Sequence, residues 1–355
     1  MFTPIIPQEQ ISGFDDFIGR HDHLVIVSHQ GPDGDSVGSS LGMYFYLKAL
    51  GKEDVRVIVP NEYPTFLRWM NGIDQVRIYE YEKEACDAIL AQADLILCLD
   101  FNGFHRVGGM AQALRESCAA KVLVDHHLDP EPTFDLAISY PHLSSTCELV
   151  FRLITRLDGF DLIDLRCAEA LYTGMMTDTG GFTFNSNDAS LFRIVAHLLD
   201  KGVDKDRIYA QVYNTSTASR LRLTGYLLSE KMTVYPEYAT AIISINEEEM
   251  KRFDFQKGDA EGVVNMPLSI GGIIFSVFVR EDTYNKIVRL SLRSVGSFAC
   301  NQFASTEFCG GGHLNASGAE SELPMEETLE KIVALLPKYK NKLLASLNDY
   351  YNRAH

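Results

Sequence analysis

The chain has 355 residues, 46% hydrophobic and 23% charged, and 48 acidic against 32 basic residues leave a formal charge of −16. These proportions describe a globular protein with room for two cores, and no apolar run approaches the length of a membrane span. The acidity, with no run of Lys and Arg, excludes a basic track able to hold long nucleic acid; a phosphorylated partner has to be short and gripped locally. The opening segment, MFTPIIPQEQISGFDDF, lacks a basic region followed by an apolar core, so no signal peptide is expected. Seven cysteines show no paired spacing, and Cys98 and Cys167 sit in apolar runs. Reduced, buried thiols and a cytoplasmic location are expected.

In chain order, HLVIVSH (23–29) is predicted as a buried strand and SVGSSLGMYFYLKALG (36–51) as a helix closed by Gly51. VRVIVP follows as a strand, then a helical or irregular stretch, strand DLILCLDF at 94–101, a helix near 110–118 and strand KVLVDHH at 121–127. Apolar strands alternating with helices predict an α/β domain, a parallel sheet with helices on both faces. From about 146 to 232 helical periodicity dominates, in TCELVFRLITRLDG, LRCAEALYTGMMTD, DASLFRIVAHLLDKG and STASRLRLTGYLLSEKM. After Met232 strands return in ATAIISI, GIIFSVFVRE and KIVRLSLRSV, followed by a glycine-rich helical segment and a long C-terminal helix. The expected division is a first domain at 1–200, a helical connection at 201–234 and a smaller α+β domain at 235–345.

VSHQGPDGDSVGSSLG places His29, Asp33 and Asp35 within seven residues. PDGD is ordinary turn chemistry, and a solvated turn accounts for it by itself. The alternative is a divalent-metal site, because like charges so close need compensation. Three predicted strands favour the metal, each ending in a residue of ligand type: LVIVSH at His29, LILCLD at Asp100, and KVLVDHH at Asp125, His126 and His127. Parallel strands share one carboxyl edge, where open α/β sheets bind ligands. In LYTGMMTDTGGFTF a helical pattern breaks into glycine at Asp178. Capping by Gly180 and Gly181 explains the glycines but not the acid.

His29, Asp33, Asp35, Asp100, His126 and Asp178, with His127 nearby, exceed the three or four ligands of a zinc site. Mixed imidazole and carboxylate donors without cysteine suit two divalent ions of the manganese or magnesium kind. Such a pair would share a carboxylate and activate a water for attack at phosphorus. Other residues are read as structural. His105 is expected in a loop, His21 and His23 solvated ahead of the first strand, and Tyr44 and Phe45 in the core. Cys300 and Cys309 lie in a helical pattern with no partner pair for zinc. GGGH reads either as a flexible loop ending a helix or as a binding loop; Arg293 and Asn301 upstream favour binding.

These windows resemble the motifs of the DHH phosphoesterase family, named for Asp125-His126-His127. SHQGPDGDSVGS is similar to its first motif, LDFNGFHRVG to the second, VDHH to the third and YTGMMTDTGGF to the fourth. LRSVGSFACNQFASTEFCGGGHLNASGAE (292–320) is similar to the GGGH signature of the family's associated C-terminal domain. The layout resembles the bacterial nanoRNase/pAp phosphatases and the stand-alone linear and cyclic dinucleotide phosphodiesterases. The resemblance implies His29, Asp33 and Asp100 on one ion, and Asp35, Asp100, His126 and Asp178 on the second. Asp125 would orient a neighbouring imidazole, and His127 and Arg106 would face the scissile phosphate. In the C-terminal domain, Arg293, Asn301, Gly310, Gly311, Gly312 and His313 would receive the rest of the substrate. The chain departs from the family at Phe101 and Asn102, where many relatives carry small or acidic residues. It departs again at Cys309, where a fourth glycine is common; neither departure touches an expected ligand.

The activity this implies is a manganese-dependent phosphohydrolase, with magnesium or cobalt as alternatives. It would cleave short 5′-phosphorylated oligonucleotides (nanoRNA) to mononucleotides and dephosphorylate pAp. A cyclic-di-AMP or pApA phosphodiesterase shares all the catalytic residues. Exopolyphosphatases and pyrophosphatases use the same core with a more basic C-terminal domain. A non-catalytic nucleotide sensor is expected to lack at least one ligand, and here every position is filled. No long nucleic acid and no membrane are expected as partners, and the resemblance allows a homodimer.

Overall fold

In the computed structural model, which describes residues 4–256 and 258–352, the chain divides after Thr215 into two units. The first holds six parallel strands, β1 (His23–Val27), β2 (Asp54–Val59), β3 (Val76–Ile78), β4 (Leu95–Leu99), β5 (Ala120–Asp125) and β6 (Leu136–Ser139). Their order in the sheet is β3-β2-β1-β4-β5-β6. This is the parallel α/β architecture expected from the alternation of apolar runs and helices. The two edge strands, β3 and β6, were not expected. They are three and four residues long and mostly half-buried, so they carry no continuous apolar run. His23 opens β1, where the predicted strand at 23–29 begins, and is exposed as expected; its Nδ1 lies 2.8 Å from Asp54 Oδ2 at the start of β2.

Helices α1 (Gln8–Arg20), α2 (Gly34–Ala49), α3 (Lys83–Gln92), α4 (Ala111–Glu116), α5 (Thr146–Arg156), α6 (Leu165–Asp178), α7 (Ala189–Asp200) and α8 (Lys205–Tyr213) belong to this unit. Alternation along β1 sends Leu24 and Ile26 into one core with Phe14, Leu41, Leu149 and Leu171. Val25 and Val27 enter a second core with Leu90 of α3 and Leu114 of α4. Both faces are therefore covered, as buried parallel strands require. On α2, Gly34, Gly38 and Gly42 recur at helical spacing against α6. A Cβ at Gly38 would stand 2.6 Å from the Ala170 carbonyl oxygen, and one at Gly42 2.5 Å from Leu171 Cδ2. The two helices meet backbone to backbone, which brings the start of α2 beside the end of α6.

The second unit is a mixed sheet of β7 (Met232–Tyr235), β8 (Thr240–Ile245), β9 (Phe275–Asp282), β10 (Ile287–Ser294), β11 (Cys309–His313) and β12 (Ala316–Ser321). The order is β11-β12-β10-β9-β8-β7, antiparallel except between β8 and β9. Its helices are α9 (Ala218–Tyr226), α10 (Glu247–Arg252), α11 (Cys300–Glu307) and α12 (Met325–Asn352). Val277, Leu290 and Leu292 pack with Phe303 of α11 and Ile332 and Leu343 of α12. Phe278 and Ile243 pack with Leu223 and Val263 in a separate cluster.

The glycine-rich segment expected as helix or flexible loop is a strand, β11, paired along its length with β12. Cys300 opens α11, and Cys309 opens β11 rather than continuing a helical pattern. All seven cysteines are free, but Cys118 and Cys309 are exposed, contrary to the expectation of buried thiols throughout. Among the described residues no helix is long and apolar enough to cross a membrane.

Candidate metal centre

Strand order reverses between β1 and β4, and a crevice opens at the carboxyl ends of strands at such a point. His29 lies two residues beyond β1. Asp33 caps α2: its Oδ1 accepts the amides of Asp35 and Ser36 at 3.0 Å each, while the Ser36 hydroxyl accepts the Asp33 amide at 2.9 Å. The cap leaves Asp33 Oδ2 facing His29 Nε2 at 3.8 Å. Asp100 follows β4 with φ +66°, in the left-handed region that Asp adopts more readily than most residues other than glycine. Its Oδ2 lies 3.3 Å from His29 Nε2.

β5 delivers Asp125, His126 and His127. His126 Nε2 stands 3.6 Å from Asp100 Oδ1, 3.6 Å from Asp178 Oδ2 and 3.9 Å from Asp35 Oδ2. Asp178 is the last residue of α6, and the α2–α6 glycine contact carries it to Asp35. Three donor sets result, each with its atoms within 4.8 Å of one another: His29, Asp33 and Asp100; Asp35, His126 and Asp178; and Asp100, His126 and His127. All six expected ligands thus converge; Asp100 and His126 each belong to two of the sets.

Around them, Asp125 Oδ1 takes the Nδ1 proton of His127 at 2.7 Å, which fixes that ring. The other oxygen of Asp125 is buried without a hydrogen-bond partner among the described residues. His126 Nδ1 faces the Leu143 carbonyl at 3.3 Å. Arg106 lies in the tight turns at Phe104–Met110, where its carbonyl accepts the Gln30 amide at 2.7 Å and ties this loop to the His29 loop. His105 pairs with Glu131 at 2.9 Å and stays outside the cluster.

The electrostatics call for a cation. Burial, then the charges of Asp100 and Asp178, push the Asp35 carboxyl well above its ordinary range. Burial raises Asp178 to about 7 against the opposing pull of His126. Burial alone would lower His126, but Asp178, Asp100, Asp35 and Asp125 raise it to about 9. Burial would likewise raise Asp100, yet the hydrogen bond and charge of His29, with His127 and His126, hold it well below the carboxylate range. The ion pairs of Asp33, Asp35, Asp100 and Asp178 among the described residues are all with histidines, none with Lys or Arg. Four acids and three imidazoles sharing one crevice fit divalent cations, which offset the repulsion and favour this donor set.

One part of the site was not anticipated. α5 starts at this crevice, with Ser145 as its cap accepting the Glu148 amide at 3.0 Å. The amides of Thr146 and Cys147 donate to Asp35 Oδ2 and Oδ1 at 2.7 and 2.9 Å, and the Thr146 hydroxyl donates to Asp100 Oδ1 at 2.9 Å. Ser145 with Glu148 three residues on marks a helix start in sequence, but nothing local says what the helix points at.

In the second unit, register places Arg293 of β10 and His313 of β11 on either side of Ala316 of β12. Asn301 in α11 donates from Nδ2 to the Gly312 carbonyl at 3.2 Å. Two of the three glycines are explained by their own sheet. A Cβ at Gly310 would lie 2.4 Å from the Gly318 carbonyl oxygen, and Gly312 has φ +139° with the Ala316 carbonyl 2.6 Å from its Cβ position. Gly311 faces open space.

A protein-family model described as the N-terminal domain of the DHH family matches residues 23–175. The crystal structure of an exopolyphosphatase-related protein from Bacteroides fragilis is 50% identical to this chain. It covers 96% of this chain and 99% of its own, with a TM-score of 0.94. The bifunctional oligoribonuclease and PAP phosphatase NrnA of Thermus thermophilus is 29% identical over 87% of this chain and 88% of its own. The cyclic-di-AMP phosphodiesterase GdpP of Bacillus subtilis is 25% identical over 91% of this chain but 49% of its own, so this chain spans about half of that relative.

Proposed function

The chain belongs to the DHH family of phosphoesterases, and we propose that it is a two-metal hydrolase degrading short 5′-phosphorylated oligonucleotides to mononucleotides and dephosphorylating pAp. The observation that carries this reading is the convergence of His29, Asp33, Asp35, Asp100, His126 and Asp178, with Asp100 and His126 each common to two of three overlapping donor sets. The similarity to NrnA, an oligoribonuclease and PAP phosphatase by name, supports the substrate class.

His29, Asp33 and Asp100 would hold one divalent ion, and Asp35, Asp100, His126 and Asp178 the other, with manganese the expected metal. When bound, the pair supplies Lewis acidity and a nucleophile at neutral pH. The chain's own residues do the rest. Asp125 fixes the His127 ring through Nδ1, so that His127 is oriented to donate to a phosphate oxygen from the far side of the ring. Arg106 offers a planar, permanently charged fork for the same phosphate. Asp33 presents one oxygen while the other stays committed to the α2 cap, which limits its motion. Arg293, Asn301, Gly310, Gly311, Gly312 and His313 would bind the remainder of the substrate through the second unit.

A cyclic-di-AMP phosphodiesterase is the second reading, supported by the similarity to GdpP. Side-by-side initial rates on di- to pentanucleotides, pAp, pApA, cyclic-di-AMP, pyrophosphate and polyphosphate, with manganese, decide between them. Short RNA and pAp are expected to turn over fastest. Activity should vanish on chelation and return best with manganese. Full turnover in metal-free buffer refutes the metal reading, and cyclic-di-AMP as the fastest substrate transfers the assignment to the second.

A further inference from the structure

The feature of the site without an assigned role is the start of α5, and it touches two carboxylates through a single residue. Thr146 donates its amide to Asp35 Oδ2 at 2.7 Å and its hydroxyl to Asp100 Oδ1 at 2.9 Å. We propose that Thr146 is a positioning residue that sets the orientation of the shared carboxylate Asp100, and thereby the affinity of the centre for its second divalent ion. The inference rests on the two-metal reading above and deepens it.

Three observations support the assignment. Thr146, Asp35 and Asp100 are all buried, so each hydrogen bond counts against a full desolvation cost if broken. Asp100 has a left-handed backbone, φ +66°, which does not by itself dictate where its side chain points. The hydroxyl of Thr146 supplies that direction. With Oδ1 held by the hydroxyl, Oδ2 lies 3.3 Å from His29 Nε2, and Oδ1 lies 3.6 Å from His126 Nε2 and 3.8 Å from His127 Nδ1. Each oxygen of Asp100 is thereby aimed at a different donor set.

Chemistry explains the residue type. A β-branched side chain has few χ1 rotamers, so the hydroxyl is pre-aimed, and its single proton has Asp100 as its acceptor. The amides of Thr146 and Cys147 hold both oxygens of Asp35 at the same time, at 2.7 and 2.9 Å. Asp35 and Asp100, which lie far apart in sequence, are therefore referenced to one rigid point. Outer hydrogen bonds of this kind typically change metal affinity or activity about 10- to 100-fold when removed.

The test compares wild type, Thr146→Val and Thr146→Ser as full-length chains. Valine keeps the branched shape and deletes the donor; serine keeps the donor. Manganese binding to each metal-free protein is measured by isothermal titration calorimetry, with thermal melts in chelator as the folding control. The expected result is a dissociation constant for the weaker ion about 10- to 100-fold higher in Thr146→Val. Thr146→Ser should recover most of that loss, and the tighter site should change less. In turnover at subsaturating manganese, Thr146→Val should lose kcat, regain it as manganese is raised, and keep KM for the organic substrate. Equal manganese affinity in wild type and Thr146→Val overturns this inference alone, as does a Thr146→Ser variant no better than valine. Wild type that binds manganese but hydrolyses none of the phosphoesters overturns the functional reading while leaving the binding comparison intact.

Discussion

Variants of Asp100 and His313 test whether the proposed chemistry and the proposed gripping reside in different residues. Asp100 joins two donor sets in the first unit, whereas His313 ends β11 in the second. Asn tolerates the left-handed backbone of position 100 nearly as well as Asp, so Asp100→Asn removes the shared charge without forcing the chain to move. We expect kcat to fall by several orders of magnitude, with the metal-free melting temperature close to wild type. His313→Ala should instead raise KM for dinucleotides, since it removes binding present in ground and transition states alike. It should barely affect a small generic phosphodiester. Steady-state kinetics of both variants on both substrates are the check: if His313→Ala abolishes turnover of the small diester as completely as Asp100→Asn, the gripping role is wrong. The positions of His29, Asp100, Asp125, His126 and His127 were legible in sequence because each closes an apolar run. The role of Thr146 was not, because its partners are set by how α5 meets two strand ends.

Helix α6 works as an element because small residues let it approach α2 and α5. A Cβ at Gly174 would stand 2.1 Å from Cys147 Sγ and 2.9 Å from Asp35 Oδ1, both buried. Gly174→Ala should therefore destabilise the protein by about 1–3 kcal/mol, the usual cost of overpacking. It should also weaken manganese binding, because relief of the clash displaces Asp35. Gly225, exposed in α9 with nothing within 4 Å of its Cβ position, is the control. Gly225→Ala should be stabilising by about 0.5–1 kcal/mol through helix propensity alone. Denaturant melts of the two variants test this, and a Gly174→Ala protein as stable as wild type contradicts the close packing of α2, α5 and α6. Among the strands, β1, β2, β4 and β5 were legible as apolar runs. β3 and β6 were too short to show a period, and β11 was hidden by glycine, which has little intrinsic strand preference. Pairing with β12 makes it a strand.

The charge of −16 acts at the scale of the whole molecule. A long polyanion approaching this molecule meets net repulsion, and the sequence has no Lys/Arg run, which favours the proposed local grip on a few phosphates. Initial rates on 5′-phosphorylated single strands should be highest for two to five nucleotides and fall with length. Added salt should narrow the gap by screening the repulsion. A rate that climbs with length at fixed salt contradicts this.

What the sequence determined by itself is a set of residues of metal-ligand type and their address. Buried parallel strands have to be apolar throughout, so a histidine or aspartate at the end of such a run stands out and falls on the carboxyl edge. The number and type of those donors already pointed to divalent ions. Tertiary structure decided which donors share an ion-sized space. His29 and Asp33 meet Asp100 because β1 and β4 are neighbours, and Asp178 meets Asp35 because glycines let α2 and α6 touch. It also decided that the first amides and hydroxyl of α5 hold Asp35 and Asp100. These are contacts between residues distant in sequence. Local periodicity and spacing carry no information about them, because they depend on the order of strands in the sheet and the distance between packed helices.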